Sequence, residues 1–196
     1  MKIYNLIIIA SFFITINSFA QINSSTIDFF AEASLEQSHH IFYANVDNKY
    51  GVNNSFNFGA EAILFESQSL ANSGVGAIYQ FPTSIVNLSK EGSYSFIPLY
   101  AFTRIKFIGL DVLNIMLQVK LGYNFISVHD NYLGGYTNDF KGGLYYSIGS
   151  LMSISDRLQV RIFYSVNYGK YSTSYADYML KNEQFTIGLG YGLNIF

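Results

Sequence analysis

The chain has 196 residues, with 11 Lys and Arg against 13 Asp and Glu, 12% charged residues and 50% hydrophobic ones. That composition excludes intrinsic disorder, which needs high charge and few large apolar residues, and it leaves no basic stripe for the phosphates of a nucleic acid. With no Cys there is no disulfide scaffold, thiolate metal site or cysteine nucleophile, and 17 Tyr and 18 Phe stand beside no Trp.

The chain opens on Met1 and Lys2, a positive end, and Leu6–Ile16 is apolar apart from Ser11 and Thr15. Ser18 and Ala20 then put small residues at the −3 and −1 positions of a signal-peptidase site, with Gln21 as the new N-terminus. This predicts a cleavable secretory signal over 1–20 and a single mature domain over 21–196. Losing Lys2 leaves 10 basic and 13 acidic residues. No later stretch approaches the roughly 20 apolar residues that a membrane helix needs. A membrane crossing would have to use strands.

From there period two recurs, the mark of strands with two different faces. Ile27, Phe29, Ala31, Ala33 and Leu35 alternate with Asp28, Phe30, Glu32, Ser34 and Glu36. A second segment sets Phe56, Phe58, Ala60, Ala62 and Leu64 against Asn57, Gly59, Glu61 and Ile63; a third sets Val75, Ala77, Tyr79 and Phe81 against Gly74, Gly76, Ile78 and Gln80. In the fourth, Leu99, Ala101, Thr103, Ile105 and Phe107 oppose Pro98, Tyr100, Phe102, Arg104 and Lys106. The fifth is the clearest: Leu113, Ile115, Leu117, Val119, Leu121, Tyr123 and Phe125 oppose Asn114, Met116, Gln118, Lys120, Gly122 and Asn124. Leu144, Tyr146, Ile148 and Met152 mark the sixth, against Gly143, Tyr145, Ser147 and Gly149. Arg157–Gly169 places Leu158, Val160, Ile162, Tyr164, Val166 and Tyr168 opposite Gln159, Arg161, Phe163, Ser165 and Asn167. Gln184–Phe196 closes the series, with Phe185, Ile187, Leu189, Tyr191, Leu193 and Ile195 opposite Thr186, Gly188, Gly190, Gly192 and Asn194.

Eight strands with alternating connections follow. Short ones fall at Glu66–Ser73, Ile108–Leu110 and Ser153–Asp156, and long ones at about Gln37–Asn54, Pro82–Ser93, Ile126–Asp139 and Gly169–Glu183. Long loops at one end and tight turns at the other is how an up-and-down transmembrane barrel is built. An even count lets the last strand pair with the first and remove both edges. Which face is outside follows from size and charge. A ring of eight is just wide enough to be filled by side chains; small and polar residues such as Gly122, Gly149, Gly188, Ser147 and Ser165 fall on one face, and the bulky apolar ones on the other. The polar face also lacks the dense Lys and Glu of a water-exposed surface. The prediction is an all-β, eight-stranded antiparallel transmembrane barrel, apolar side out.

On the residues Ser18-Phe19-Ala20-Gln21, Ile97-Pro98-Leu99-Tyr100, Leu121-Gly122-Tyr123-Asn124-Phe125 and the terminal Phe196, the chain from Gln21 onward resembles the small outer-membrane β-barrel proteins of the OmpA/OmpX type. The resemblance implies a bacterial outer-membrane location, a lipid environment, and assembly by the barrel-assembly machinery, which reads a C-terminal aromatic. Here Ile195, Leu193 and Tyr191 hold the lipid phase, so Phe196 is one residue off it.

Candidate site residues divide into three sets. Asp28, Glu32, Glu61, Arg104, Lys120 and Arg161 face inward and predict a salt-bridged plug of the lumen, since an unpaired buried charge costs about 3–5 kcal/mol. Tyr79, Phe107, Tyr123, Phe125, Tyr164, Tyr168 and Tyr191 face outward as interfacial girdles. Pro98, which gives no ladder hydrogen bond, is placed near its strand's start at the outer rim. His39, His40 and Asp47 in the first long loop and His129 and Asp130 in the third show no spacing that demands a metal. His129 is followed by Asp130 and Asn131 rather than the His-x-Ser of lipid-A deacylases.

The loops carry Asn131, Tyr132, Tyr136, Asn138, Tyr171, Ser174, Tyr175 and Tyr178, a composition suited to contacting proteins or sugars. The reading is a monomeric, non-enzymatic barrel without cofactor or metal, supporting envelope integrity or displaying loops that bind an extracellular protein or glycan. A narrow conduit for a small apolar solute is the alternative, and a lipid-A-modifying enzyme a more distant one.

Overall fold

A computed structural model describes residues 26–44, 46–66, 71–85, 93–110, 112–129, 139–154, 157–172 and 176–194. The predicted signal segment 1–20, His129's side chain, the loop residues 130–138 and 173–175, and Phe196 lie outside the described residues. The strands are β1 Thr26–Tyr43, β2 Val46–Gly51, β3 Phe56–Glu66, β4 Ala71–Gln80, β5 Thr83–Ser84, β6 Ser93–Gly109, β7 Leu113–His129, β8 Asp139–Ile154, β9 Leu158–Ser172 and β10 Asp177–Asn194. All pairings are antiparallel. The order β10-β9-β8-β7-β6-β4-β3-β1 is closed by β1 pairing with β10, which makes a ring of eight.

The ring is strongly staggered. From His39, the register passes through Asn182, Asn167, Tyr145, Gly122, Tyr100, Gly76 and Glu61 and returns to β1 at Asp28, eleven residues below its start. Such a stagger accompanies strand tilt in a closed barrel. Through the body of the ring the two faces separate: Phe29, Val75, Leu117, Leu144 and Leu189 are exposed on the outside, while Asp28, Glu61, Lys120 and Arg161 are buried within.

The end predicted as loops is largely strand. β1 continues to Tyr43 and turns back as β2, β7 reaches His129, and β9 and β10 leave only 173–176 between them. A register shift between Ser34 and Glu36 hid the first of these. It puts Leu35 outside and Gln37, His39 and Ile41 inside, so the parity reverses midway along the strand. β2 takes over the edge of β1 beyond β3, β5 takes over the edge of β6 beyond β4, and Val52 bridges Ile85 between them. The wall therefore continues above the eight-strand ring as a collar.

That collar has an apolar interior. Val52, Ile85, Tyr94 and Phe96 form one buried cluster, and Ile41, Tyr171 and Leu180 another. The lumen lower down also departs from the small-and-polar expectation, since Phe30, Tyr100, Phe102, Tyr145 and Phe163 are buried in it. Glycines make the room. A Cβ on Gly59 would sit 2.3 Å from the Phe30 ring, and one on Gly149 2.3 Å from Phe163. Pro98 is the sixth residue of β6 rather than at its start, opposite Asn124. The β4–β6 ladder stops at Ala77–Leu99, one position before this residue with no N–H to give.

Candidate functional site

The three inward cations converge on Glu61, and Asp28 and Glu32 join through two of them. From β3, Glu61 Oε2 accepts from Arg104 Nη2 at 2.5 Å, and its Oε1 accepts from Arg161 Nη2 at 3.0 Å and Gln118 Nε2 at 3.0 Å. Lys120 Nζ lies 3.1 Å from the same Oε1, and the Tyr100 hydroxyl donates to it at 2.7 Å. Arg104 reaches further, giving Nη1 to Asp28 Oδ2 at 2.5 Å and Nε to Gln118 at 3.2 Å. Arg161 gives Nε to Glu32 at 3.2 Å and Nη1 to Gln159 at 3.2 Å, while Thr186 donates to the other Glu32 oxygen at 3.0 Å.

Three carboxylates and three cations thus neutralise each other in a space where none is more than 3% exposed. Aromatic faces complete the enclosure. The Arg161 guanidinium lies 3.8 Å from the Phe30 ring centre and Lys120 Nζ 4.1 Å from that of Phe163. Cations gain from aromatic faces most when desolvated, as here. Tyr100, Gln118, Gln159 and Thr186 were not singled out from sequence. The available signal was parity: Tyr100, Gln118 and Gln159 stand in phase with the inward charges on their own strands, and Thr186 is in phase with the glycines Gly188 and Gly190 of β10.

Above this network lies a layer of carboxamides. Asn167 Nδ2 reaches Gln80 Oε1 across the lumen at 3.4 Å, Asn57 Nδ2 donates to Gln184 at 3.3 Å, and Gln37 Nε2 donates to Asn182 at 3.3 Å. Strands β3, β4, β9, β10 and β1 all contribute. The ion network, this amide layer and the apolar collar fill the lumen in succession from the turn end to the loop end.

The outward aromatics Tyr79, Phe107, Tyr123, Phe125, Tyr164 and Tyr191 are exposed, and Tyr168 is half-buried against Tyr146, with ring centres 6.3 Å apart. His39 and His40, being neighbours on a strand, point to opposite faces. His39 is buried in the lumen beside Tyr94, whereas His40 faces outward with Nδ1 3.0 Å from Asp47 and Nε2 3.5 Å from Glu183. Strand geometry keeps the two rings from sharing a ligand.

No protein-family model matches the chain, and no curated protein does. Solved structures do. The outer membrane protein OprG from Pseudomonas aeruginosa superposes with a TM-score of 0.53 at 12% identity, covering 89% of this chain and 98% of its own. The outer membrane protein AlkL, solved in lipid bilayers, gives 0.53 at 11% identity over 88% of this chain and 92% of its own. Neisserial surface protein A gives 0.52 at 14% identity over 86% and 99%. The chain has the fold of the small outer-membrane β-barrels.

Proposed function

We propose that this chain is an integral, monomeric and non-enzymatic protein of the bacterial outer membrane, exported by its 1–20 segment and inserted by the barrel-assembly machinery. Its barrel is closed to through-passage, and its loop end serves as a binding surface for an extracellular protein or glycan. One observation carries the reading: the ring turns apolar side chains outward while its lumen holds a fully paired, charge-neutral network. Hydrocarbon accepts the first, because every backbone group is satisfied within a closed ring. The second stops ions and solutes, because an eight-strand lumen filled by side chains leaves no aqueous path. The collar then presents Tyr43, Val46 and Met179, all exposed, where a partner can reach them.

Two measurements test this together. Refolded into lipid vesicles, the protein should migrate differently on a cold gel before and after boiling, and in planar bilayers it should produce no unitary conductance. A single mobility in lipid, or stepwise currents from the wild-type protein, overturns the proposal.

A narrow conduit for an apolar solute is the second reading, supported by the buried Ile41, Tyr94, Phe96, Tyr171 and Leu180 inside the collar. Flux of a small apolar solute into proteoliposomes, lost on changing Glu32, separates it from the first.

A further inference from the structure

The lumen does not exhaust the polar chemistry of the loop end. On the outer wall, the register aligns Lys49 on β2, His40 on β1, Lys181 on β10 and Tyr168 on β9 in one row. The next row toward the turns holds Ser38, Glu183, Val166 and Tyr146. Below that come Phe185, Tyr164 and Ile148, then Ile187 and Ile162, all exposed. Over four rows the wall passes from cations to bare hydrocarbon.

A pocket of about 200 Å³ opens across this gradient, lined by the outward Ser38, Lys49, Tyr164, Glu183 and Phe185 and, at its floor, by Gln37 and Gln184 of the amide layer. Its one lining acid, Glu183, is engaged, and so is Asp47 on β2. Glu183 is held by Lys181, by Ser38 Oγ at 3.3 Å and by His40, and Asp47 is held by His40. Lys49 has no ion-pair partner among the described residues. An ammonium without an acid, set over an aromatic wall that leads down to aliphatic side chains, matches an amphiphile with an anionic head and a hydrocarbon tail.

We infer that this pocket seats the net-anionic, phosphate-bearing headgroup of an outer-leaflet lipid, with the phosphate at Lys49 and the first acyl carbons against Phe185 and Tyr164. The inference rests on the membrane reading above and names one lipid contact within it. The described lysines of the loop end agree in placement, since Lys49, Lys141, Lys170 and Lys181 all lie on the β8-β9-β10-β1-β2 side of the barrel. A lysine at an anionic membrane surface strengthens binding by about fivefold, enough to favour one lipid class around one sector.

The test compares the full mature chain folded in vesicles of phosphatidylcholine alone and of phosphatidylcholine with phosphatidylglycerol. The readout is the thermal midpoint of the fast-migrating folded band. The anionic phosphatidylglycerol should raise the midpoint by a few degrees; Lys49→Ala should lose most of that rise and Lys49→Arg keep it. Lys106→Gln, an exposed lysine at the turn end, should also keep it. Equal midpoints in the two lipids, or a rise that survives Lys49→Ala, overturn the pocket while leaving the barrel in lipid intact. An equal rise from inorganic phosphate added to phosphatidylcholine vesicles makes this a free-anion site and overturns the lipid assignment. Failure to fold in either vesicle overturns the membrane reading, and this inference with it.

Discussion

Glu61 receives Arg104, Arg161, Lys120, Gln118 and Tyr100, whereas Glu32 receives Arg161 and Thr186 and Asp28 receives Arg104. The three carboxylates are therefore unequal. Glu61→Gln keeps the volume and two hydrogen-bonding atoms but leaves one of three buried cations without its counter-charge. Uncompensated burial of that kind costs about 3–5 kcal/mol, so the urea midpoint of the folded form should fall sharply. Glu32→Gln should cost less, because Arg161 retains Glu61. Equal midpoints for wild type and Glu61→Gln would remove Glu61 from the centre of the network. Parity along each strand was enough to pick out all six charges as inward-facing. It could not rank them, because rank depends on which strands face across the lumen and on the stagger that sets their heights. The stagger also explains why Tyr100 and Gln118 escaped notice: nothing in their local sequence marks them as partners of a residue on β3.

Among the strands, alternation was readable where one face meets hydrocarbon and the other the packed lumen, as in β7 and in β10 from Phe185 onward. It faded where that contrast ends. Beyond the shift at Ser34 and Glu36, β1 puts Gln37, His39 and Ile41 inside and Ser38 and His40 outside, a mixture of chemistries on both faces. Period two survives there in geometry but not in hydropathy, so a strand pair read as a long loop. The collar this creates is held by its own apolar clusters rather than by lipid, and it should behave as a separate cooperative unit. Leu180, fully buried against Ile41 and Tyr171, is the lever. Leu180→Ala removes about 2–5 kcal/mol of packing, and trypsin should then cut faster at Lys170 and Lys181 while the boiled and unboiled gel mobilities stay distinct. Loss of both mobility difference and protease resistance together would mean that the collar and ring form one unit.

Closure of β1 on β10 removes the edges that an open sheet of this length would offer for aggregation. It also forces a choice about what the two faces touch. In the wall, Phe29, Leu99, Leu117, Leu144, Ile162 and Leu189 are exposed on every side of the ring. A soluble barrel with that surface would present an apolar patch far larger than monomers tolerate. Leu189 stands at 59% exposure, well away from the charged rows of the loop end. Placing Arg there separates the two environments by sign as well as size. In a bilayer, Leu189→Arg costs about 2–4 kcal/mol near the midplane and progressively less toward the interfaces. In water the same change is neutral or improves solubility, because an exposed leucine gives way to a charge. Equilibrium unfolding in vesicles should therefore show a clear loss for Leu189→Arg, and a much smaller one for Leu110→Arg, where an exposed leucine sits in the turn between β6 and β7. Equal, negligible effects at both positions would place the apolar wall in water and return the ring to the soluble barrels. A loss confined to Leu189 would fix a hydrocarbon layer around the middle of the strands, with the ion network inside it and the lysine-bearing collar above.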